Sequence, residues 1–188
     1  MRRDQTILQI QPKDDFFPIA AKPFLEYVRF GKGHASADDI FSPGIQNRLG
    51  LEPSMRWTSK ILNVLWAEEG ENVSYYRFFV PRRRTKVAII GFGMGDGYAR
   101  NLVTRDTEHN ADVLIHGKRA RLLDLNVDVA FADVTDIPDV QIGDTAVLVG
   151  RDGDEEITTM ELGEQGGTSN GHICCAITSR PLRRYING

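Results

Sequence analysis

The chain has 188 residues, 41% of them hydrophobic and 26% charged, with a formal net charge of −3. That composition describes a globular chain with a core of its own, not a disordered tail, and it leaves no broad basic field to attract nucleic acid. The longest apolar runs fall far short of the ~20 residues a membrane-spanning helix needs. The N-terminus Met1-Arg2-Arg3-Asp4-Gln5 lacks the apolar core of a signal peptide, so the expected setting is cytoplasmic and reducing.

Residues 4–10 read as a short strand, ended by Pro12 and the Asp14-Asp15 pair. Residues 16–31 are apolar without a clean period, and residues 31–50 are punctuated by glycine, serine and proline. At most one helical turn is expected, over 37–41. From Ser54 the pattern becomes strand-rich. Residues 55–67 alternate as a long strand with Trp57, Ile61, Val64 and Trp66 as core positions, and residues 73–80 read as a second strand after a polar turn. Residues 86–90 form a third apolar run, feeding the loop Gly91-Phe92-Gly93-Met94-Gly95-Asp96-Gly97. Residues 111–115 and 120–125 flank His116-Gly117-Lys118 as a hairpin. Residues 127–134 and 145–149 complete the strands.

Two short helices are expected near the C-terminus. Thr158 and Glu161 form a capping box for the first, which runs to about Gln165, with Gly166-Gly167 as its left-handed end. Thr168 or Ser169 caps the second, which runs to about Ser179 before Pro181. Residues 182–186 read as a last strand. Short strands at this spacing predict a mainly β fold, a small barrel or sandwich. The expected domain organisation is an irregular extension with one short strand over 1–53 and a β-domain over 54–188.

A glycine at every second position of a loop allows a ligand or another backbone to come close. The spacing is not that of a dinucleotide loop, because the sixth position counted from Gly91 is Asp96, and no Gly-Lys-Ser/Thr of a P-loop occurs. His34, His109, His116 and His172 show no metal-ligand spacing, and adjacent Cys174 and Cys175 form neither a CxxC pair nor an ordinary disulfide. The acidic run 152–156 reads as a solvated hairpin loop, and Arg82-Arg83-Arg84 as a solvated strand edge.

Several stretches together resemble one family. Residues 93–100, Gly-Met-Gly-Asp-Gly-Tyr-Ala-Arg, resemble the Gly-Tyr-Ala-Asp-Gly-Tyr-Pro-Arg of alanine racemases. Lys118-Arg119-Ala120 resembles their Gly-x-Arg-Ala hairpin. Residues 133–138 with Gly143-Asp144, residues 157–168 and residues 180–185 follow in the same order. The stretch from about Ser54 to Tyr185 thus resembles the C-terminal β-domain of that pyridoxal-phosphate-dependent family, whose N-terminal part is a (β/α)₈ barrel. Such a barrel takes about 250 residues, more than residues 1–53 can supply. Fragments at 3–10, 41–45 and 49–53 echo the family's first strand, barrel exit and linker.

The resemblance implies site residues and also their loss. It places the family's acid/base tyrosine at Met94, the methionine lining its substrate carboxylate site at Val127, and its second active-site tyrosine at Gly171. A thioether has no proton to exchange in the working pH range. Asp128, the neighbour of that lining position, is kept. So are Asp96 and Tyr98, among Gly95 and Gly97, as loop structure. The cofactor lysine of the family lies in Val-Lys-Ala-x-Ala-Tyr-Gly, which does not occur here, and Lys32 is only a superficial match. The expectation is a degenerate domain, non-catalytic alone and binding no cofactor alone. It would associate with a copy of itself or with a separate barrel-type racemase chain. The first alternative is a subunit of a split racemase whose pyridoxal-phosphate site is completed in trans. The second is an amino-acid-binding module.

Overall fold

The structure is a computed structural model and describes residues 55–184 apart from Tyr76 and Phe78. The strand expected at 4–10, the helical turn at 37–41 and the end of the strand at 182–186 lie outside the described residues.

Seven antiparallel strands are present among the described residues: β1 (Trp57–Ala67), β2 (Thr85–Ile90), β3 (Asp112–Ile115), β4 (Lys118–Leu125), β5 (Ala130–Asp133), β6 (Thr145–Asp152) and β7 (Glu155–Ile157). Two helices follow, α1 (Thr159–Gln165) and α2 (Asn170–Ala176). No helix of the described residues is long and apolar enough to cross a membrane.

Two long strands are shared between two sheet faces. The first half of β1 pairs with β6 and its second half with β2. The first half of β4 pairs with β3 and its second half with β5. The register shifts between Ile61 and Asn63 and between Leu122 and Asp124, and such irregularities let a strand turn from one face to the other. The pairings therefore run β1-β2-β5-β4-β3-β6 and return to β1, with β7 added on β6. The circuit is not an evenly closed barrel, because β3 and β6 share a single partnered position, Leu114 with Val147.

The register puts Ile61, Ala88, Ile90, Leu122, Leu125, Ala130 and Ala132, all buried, on the enclosed side. The opposite side of the same strands is also apolar. Ala67, Val87, Leu123 and Phe131 form a second buried cluster, packed by Leu65, Ile89, Val129, Val73 and Phe79. Burial on both faces is why the β2 and β5 sequences are continuous apolar runs instead of alternating ones.

That second cluster corrects the strand expected at 73–80. Val73 and Phe79 spend their apolar surface on the cluster, and none of the described residues between Ala67 and Thr85 is in a strand. Arg77 has φ 53°, a left-handed conformation that interrupts extended backbone. Ser74 donates its hydroxyl to Oδ2 of the fully buried Asp124, pinning the segment to β4.

Other boundaries move for local reasons. Trp66, expected in the core, is 47% exposed, and its ring lies under the Arg84 guanidinium at 4.5 Å. The strand expected from 127 begins at Ala130, since residues 126–129 form a turn closed by Asn126 N–H to Val129 O at 2.8 Å. His116 (φ 52°) and Gly117 (φ 71°) are both left-handed, the two-residue turn that matches strand twist. Thr158 Oγ1 caps α1 by accepting from Glu161 N–H at 3.0 Å, but the Glu161 carboxylate turns to Arg119. The left-handed residue after α1 is Gly167 (φ 62°), and Gly166 is not. Ser169 Oγ caps α2, which stops at Ala176. Residues 182–184 are not in a strand.

Candidate functional site

β2 delivers the chain into the glycine loop. Gly91 is held to β1 by its N–H to Lys60 O at 2.9 Å and by Ser59 Oγ donating to Gly91 O at 2.8 Å. Met94–Asp96 then makes one 3₁₀ turn. Met94 N–H donates to Asn126 O at 3.0 Å and Gly95 N–H to Val127 O at 2.8 Å, so the loop is laid directly along the β4–β5 turn.

Three of the glycines are there because other atoms occupy the space of a side chain. A Cβ at Gly93 would lie 2.3 Å from Val127 O. At Gly95 it would lie 2.2 Å from Arg180 Nη1. At Gly97 (φ 99°) it would lie 2.1 Å from Ala176 O, at the end of α2. The close approach anticipated at these glycines is made by the protein's own backbone and by one arginine.

That arginine organises the charges. Asp96 accepts from Gly93 N–H at 2.9 Å through Oδ2 and meets Arg180 Nε at 3.2 Å through Oδ1. Arg180 Nη2 reaches Asp128 Oδ1 at 2.7 Å. The bond to Asp128, with the charge of Asp96, pushes the Arg180 pKa further up, so the guanidinium stays charged. Thr178 finishes the join: its N–H donates to Asp96 O at 3.0 Å and its hydroxyl to Gly95 O at 2.9 Å. Sequence reading passed over Arg180 because no local spacing links it to a loop more than eighty residues away.

The structure therefore brings Met94, Gly95, Asp96, Val127 and Asp128 to one edge. Met94 is half-buried, Val127 is 49% exposed, and Asp128 is exposed. Gly97 lies against the end of α2. Gly171 stands on α2 five residues before Ala176, about 7.5 Å along the axis at 1.5 Å per residue. It is exposed, and a Cβ there would meet only Ser169 Oγ at 3.8 Å. Space does not account for the absence of a larger side chain at 171. Beside the edge, Tyr75, Asn126, Val127, Asp128 and Val129 line an open hollow of about 370 Å³.

Tyr98 lies elsewhere. It is 3% exposed, with ring centroids 5.9 Å from Trp57 and 4.9 Å from Phe92. Its hydroxyl has no hydrogen-bond partner among the described residues. Burial first, then the charges of Asp112 and Glu161, push its pKa well above the ordinary tyrosine value. It is a core residue, in no position to exchange a proton with a ligand at the Met94 edge.

The described residues do not fit pyridoxal phosphate by themselves. That cofactor needs a lysine amine for its covalent link. Lys60 Nζ is bonded to Gly143 O and Thr145 Oγ1, Lys86 Nζ to Val140 O, and Lys118 opens the exposed β3–β4 hairpin. No group of three or more His, Cys, Asp or Glu among the described residues could hold a metal ion. Cys174 is half-buried, and burial pushes its thiol pKa up, the opposite of an activated nucleophile.

The family described as alanine racemase, C-terminal domain, matches residues 54–185. An alanine racemase of Halothermothrix orenii is 33% identical over 175 residues, covering 87% of this chain and 43% of the relative. One of Symbiobacterium thermophilum is 35% identical over 145 residues, covering 77% and 37%. Among solved structures, alanine racemase of Clostridium difficile in complex with cycloserine superposes with a TM-score of 0.65 at 28% identity, covering 79% of this chain and 36% of that one. The biosynthetic alanine racemase of Pseudomonas aeruginosa gives 0.65 at 26%, covering 75% and 37%. The chain spans about two fifths of the length of these curated relatives. With its shared-strand sheet, the two helices that follow it and its glycine loop set against the β4–β5 turn, the chain belongs to the alanine racemase C-terminal domain family.

Proposed function

We propose that this chain is a racemase-family domain that works by association with another chain and performs no racemisation by itself. The observation that carries the reading is Met94. It occupies the loop position where the resemblance puts an acid/base tyrosine, and the nearest tyrosine along the chain, Tyr98, is enclosed in the core. Val127 and Gly171 have likewise lost the groups the resemblance implies. What persists is the framework: Gly95 and Gly97 in the loop, and Asp96 and Asp128, which Arg180 ties together. In this reading the partner is a second copy or a separate barrel-type racemase chain.

Light scattering after size exclusion tests it, alone and after mixing with a barrel-type racemase fragment. The reading expects a mass above the 21.1 kDa of one chain in at least one of the two samples. A monomer in both would refute it, as would specific one-to-one binding of pyridoxal phosphate by the chain alone.

One observation favours a second reading, a split racemase completed in trans: Asp128 keeps its carboxylate exposed at the site edge. That reading expects activity only on mixing, and its loss in Asp128→Ala.

A further inference from the structure

We propose that the hollow beside Asp128 is a seat for one basic side chain, a lysine, presented by a partner chain. The existence of a partner rests on the association reading above; the chemistry of the seat rests on its own observations.

The first is charge. Arg180 faces two carboxylates, Asp96 and Asp128, so the cluster keeps one negative charge in excess. Asp96 is buried, whereas the Asp128 side chain is 66% exposed. Only Oδ1 of Asp128 is taken by Arg180, and its other oxygen has no partner among the described residues. An anion placed there would meet that carboxylate. A single available oxygen suits a compact ammonium better than the two-pronged guanidinium, which pairs best with both oxygens of a carboxylate.

The second is the wall of the hollow. Val127, Val129 and the 84% exposed Tyr75 line it together with Asp128 and Asn126. A four-carbon stem can lie along that apolar surface while its charged end reaches Asp128, and an aromatic face beside it favours a cation. At about 370 Å³, the hollow is at the small end of the range of ligand-sized sites. A purely apolar occupant would leave the excess charge unanswered, and a carboxylate would oppose it.

The test uses the full chain, labelled for amide NMR, and two probes with the same backbone: Nα-acetyl-lysinamide and Nα-acetyl-norleucinamide. The amides of residues 126–129 are expected to shift with the lysine probe. Its affinity should exceed that of norleucine by about three- to fivefold, the scale of an exposed ion pair. The difference should disappear in Asp128→Asn and shrink in high salt, and Tyr75→Ser should weaken both probes. Equal affinities, a lysine preference that survives Asp128→Asn, or shifts absent from 126–129 would each overturn the proposal. Should Asp128→Asn fail to fold, the salt dependence and Tyr75→Ser decide the matter. Lysine-selective shifts in a chain that never leaves the monomeric state would sink the association reading and keep the seat. Association without lysine selectivity would do the reverse.

Discussion

Gly93→Ala isolates the contact on which the site's shape depends. Gly93 has φ −162°, extended backbone that alanine also adopts, so the change adds no dihedral strain. It adds a methyl 2.3 Å from Val127 O, with Asn126 O at 2.5 Å. Both obstacles are backbone, so neither can swing aside. Restoring ordinary contact moves the loop and the turn apart by about 1 Å, which breaks or bends the bonds from Met94 N–H to Asn126 O and from Gly95 N–H to Val127 O. At about 0.5–1.5 kcal/mol each, the loss is about 1–3 kcal/mol, before any effect on the Asp96 and Arg180 contacts. For a chain of this size that lowers Tm by about 2–12 °C. Gly91→Ala is the control: its Cβ would meet only the flexible end of Leu62 at 3.3 Å, and its effect should stay within about 0.5 kcal/mol. Thermal unfolding followed by circular dichroism compares the two. If Gly93→Ala melts with Gly91→Ala, within a degree of the unmodified chain, the loop is not held against the β4–β5 turn as described.

Three further outcomes follow from the same geometry. Tyr98→Phe removes a buried hydroxyl without a partner, so urea unfolding at neutral pH should find it neutral or stabilising by up to about 1 kcal/mol. The advantage of Tyr98→Phe widens at high pH. The folded-state pKa is raised above the ordinary tyrosine value of about 10, so the unfolded chain releases this proton first and the unmodified protein loses stability above about pH 10. Relative to Tyr98→Phe, that loss is about 1.4 kcal/mol per pH unit, and parallel curves above pH 10 would contradict the assignment. Ser74→Ala removes the hydroxyl that donates to buried, charged Asp124 and should cost about 1–3 kcal/mol in the same assay, so an unchanged midpoint would rule that bond out. Gly171→Ala places a methyl in open space within α2 and should stabilise by about 0.5–1 kcal/mol, read as a higher Tm.

Legibility in the sequence followed the range of the interactions. β2, β3 and the helix caps at Thr158 and Ser169 were readable because their signals are local: apolar runs, turn glycines and a hydroxyl three residues before its donor. Val73 and Phe79 carry a strand-like composition but use it to cover the outer face of β1, β2, β4 and β5, a destination no local pattern encodes. Trp66 has the right alternation and ends exposed because Arg84 supplies a partner from outside the strand. The glycines were legible as positions of close approach; that the approaching atoms are Val127 O, Arg180 and Ala176 O was not. Arg180 is the clearest omission, a residue whose role exists only once two distant loops are adjacent.

Racemisation of L-alanine in the presence of pyridoxal phosphate, by this chain mixed with a racemase barrel that lacks its own C-terminal domain, tests the central claim most directly. With Met94 at the edge of the site, the account predicts no turnover beyond that of the barrel alone, even where a complex forms. Turnover that appears only on mixing, and falls in Asp128→Ala, would contradict it and establish the chain as half of an enzyme.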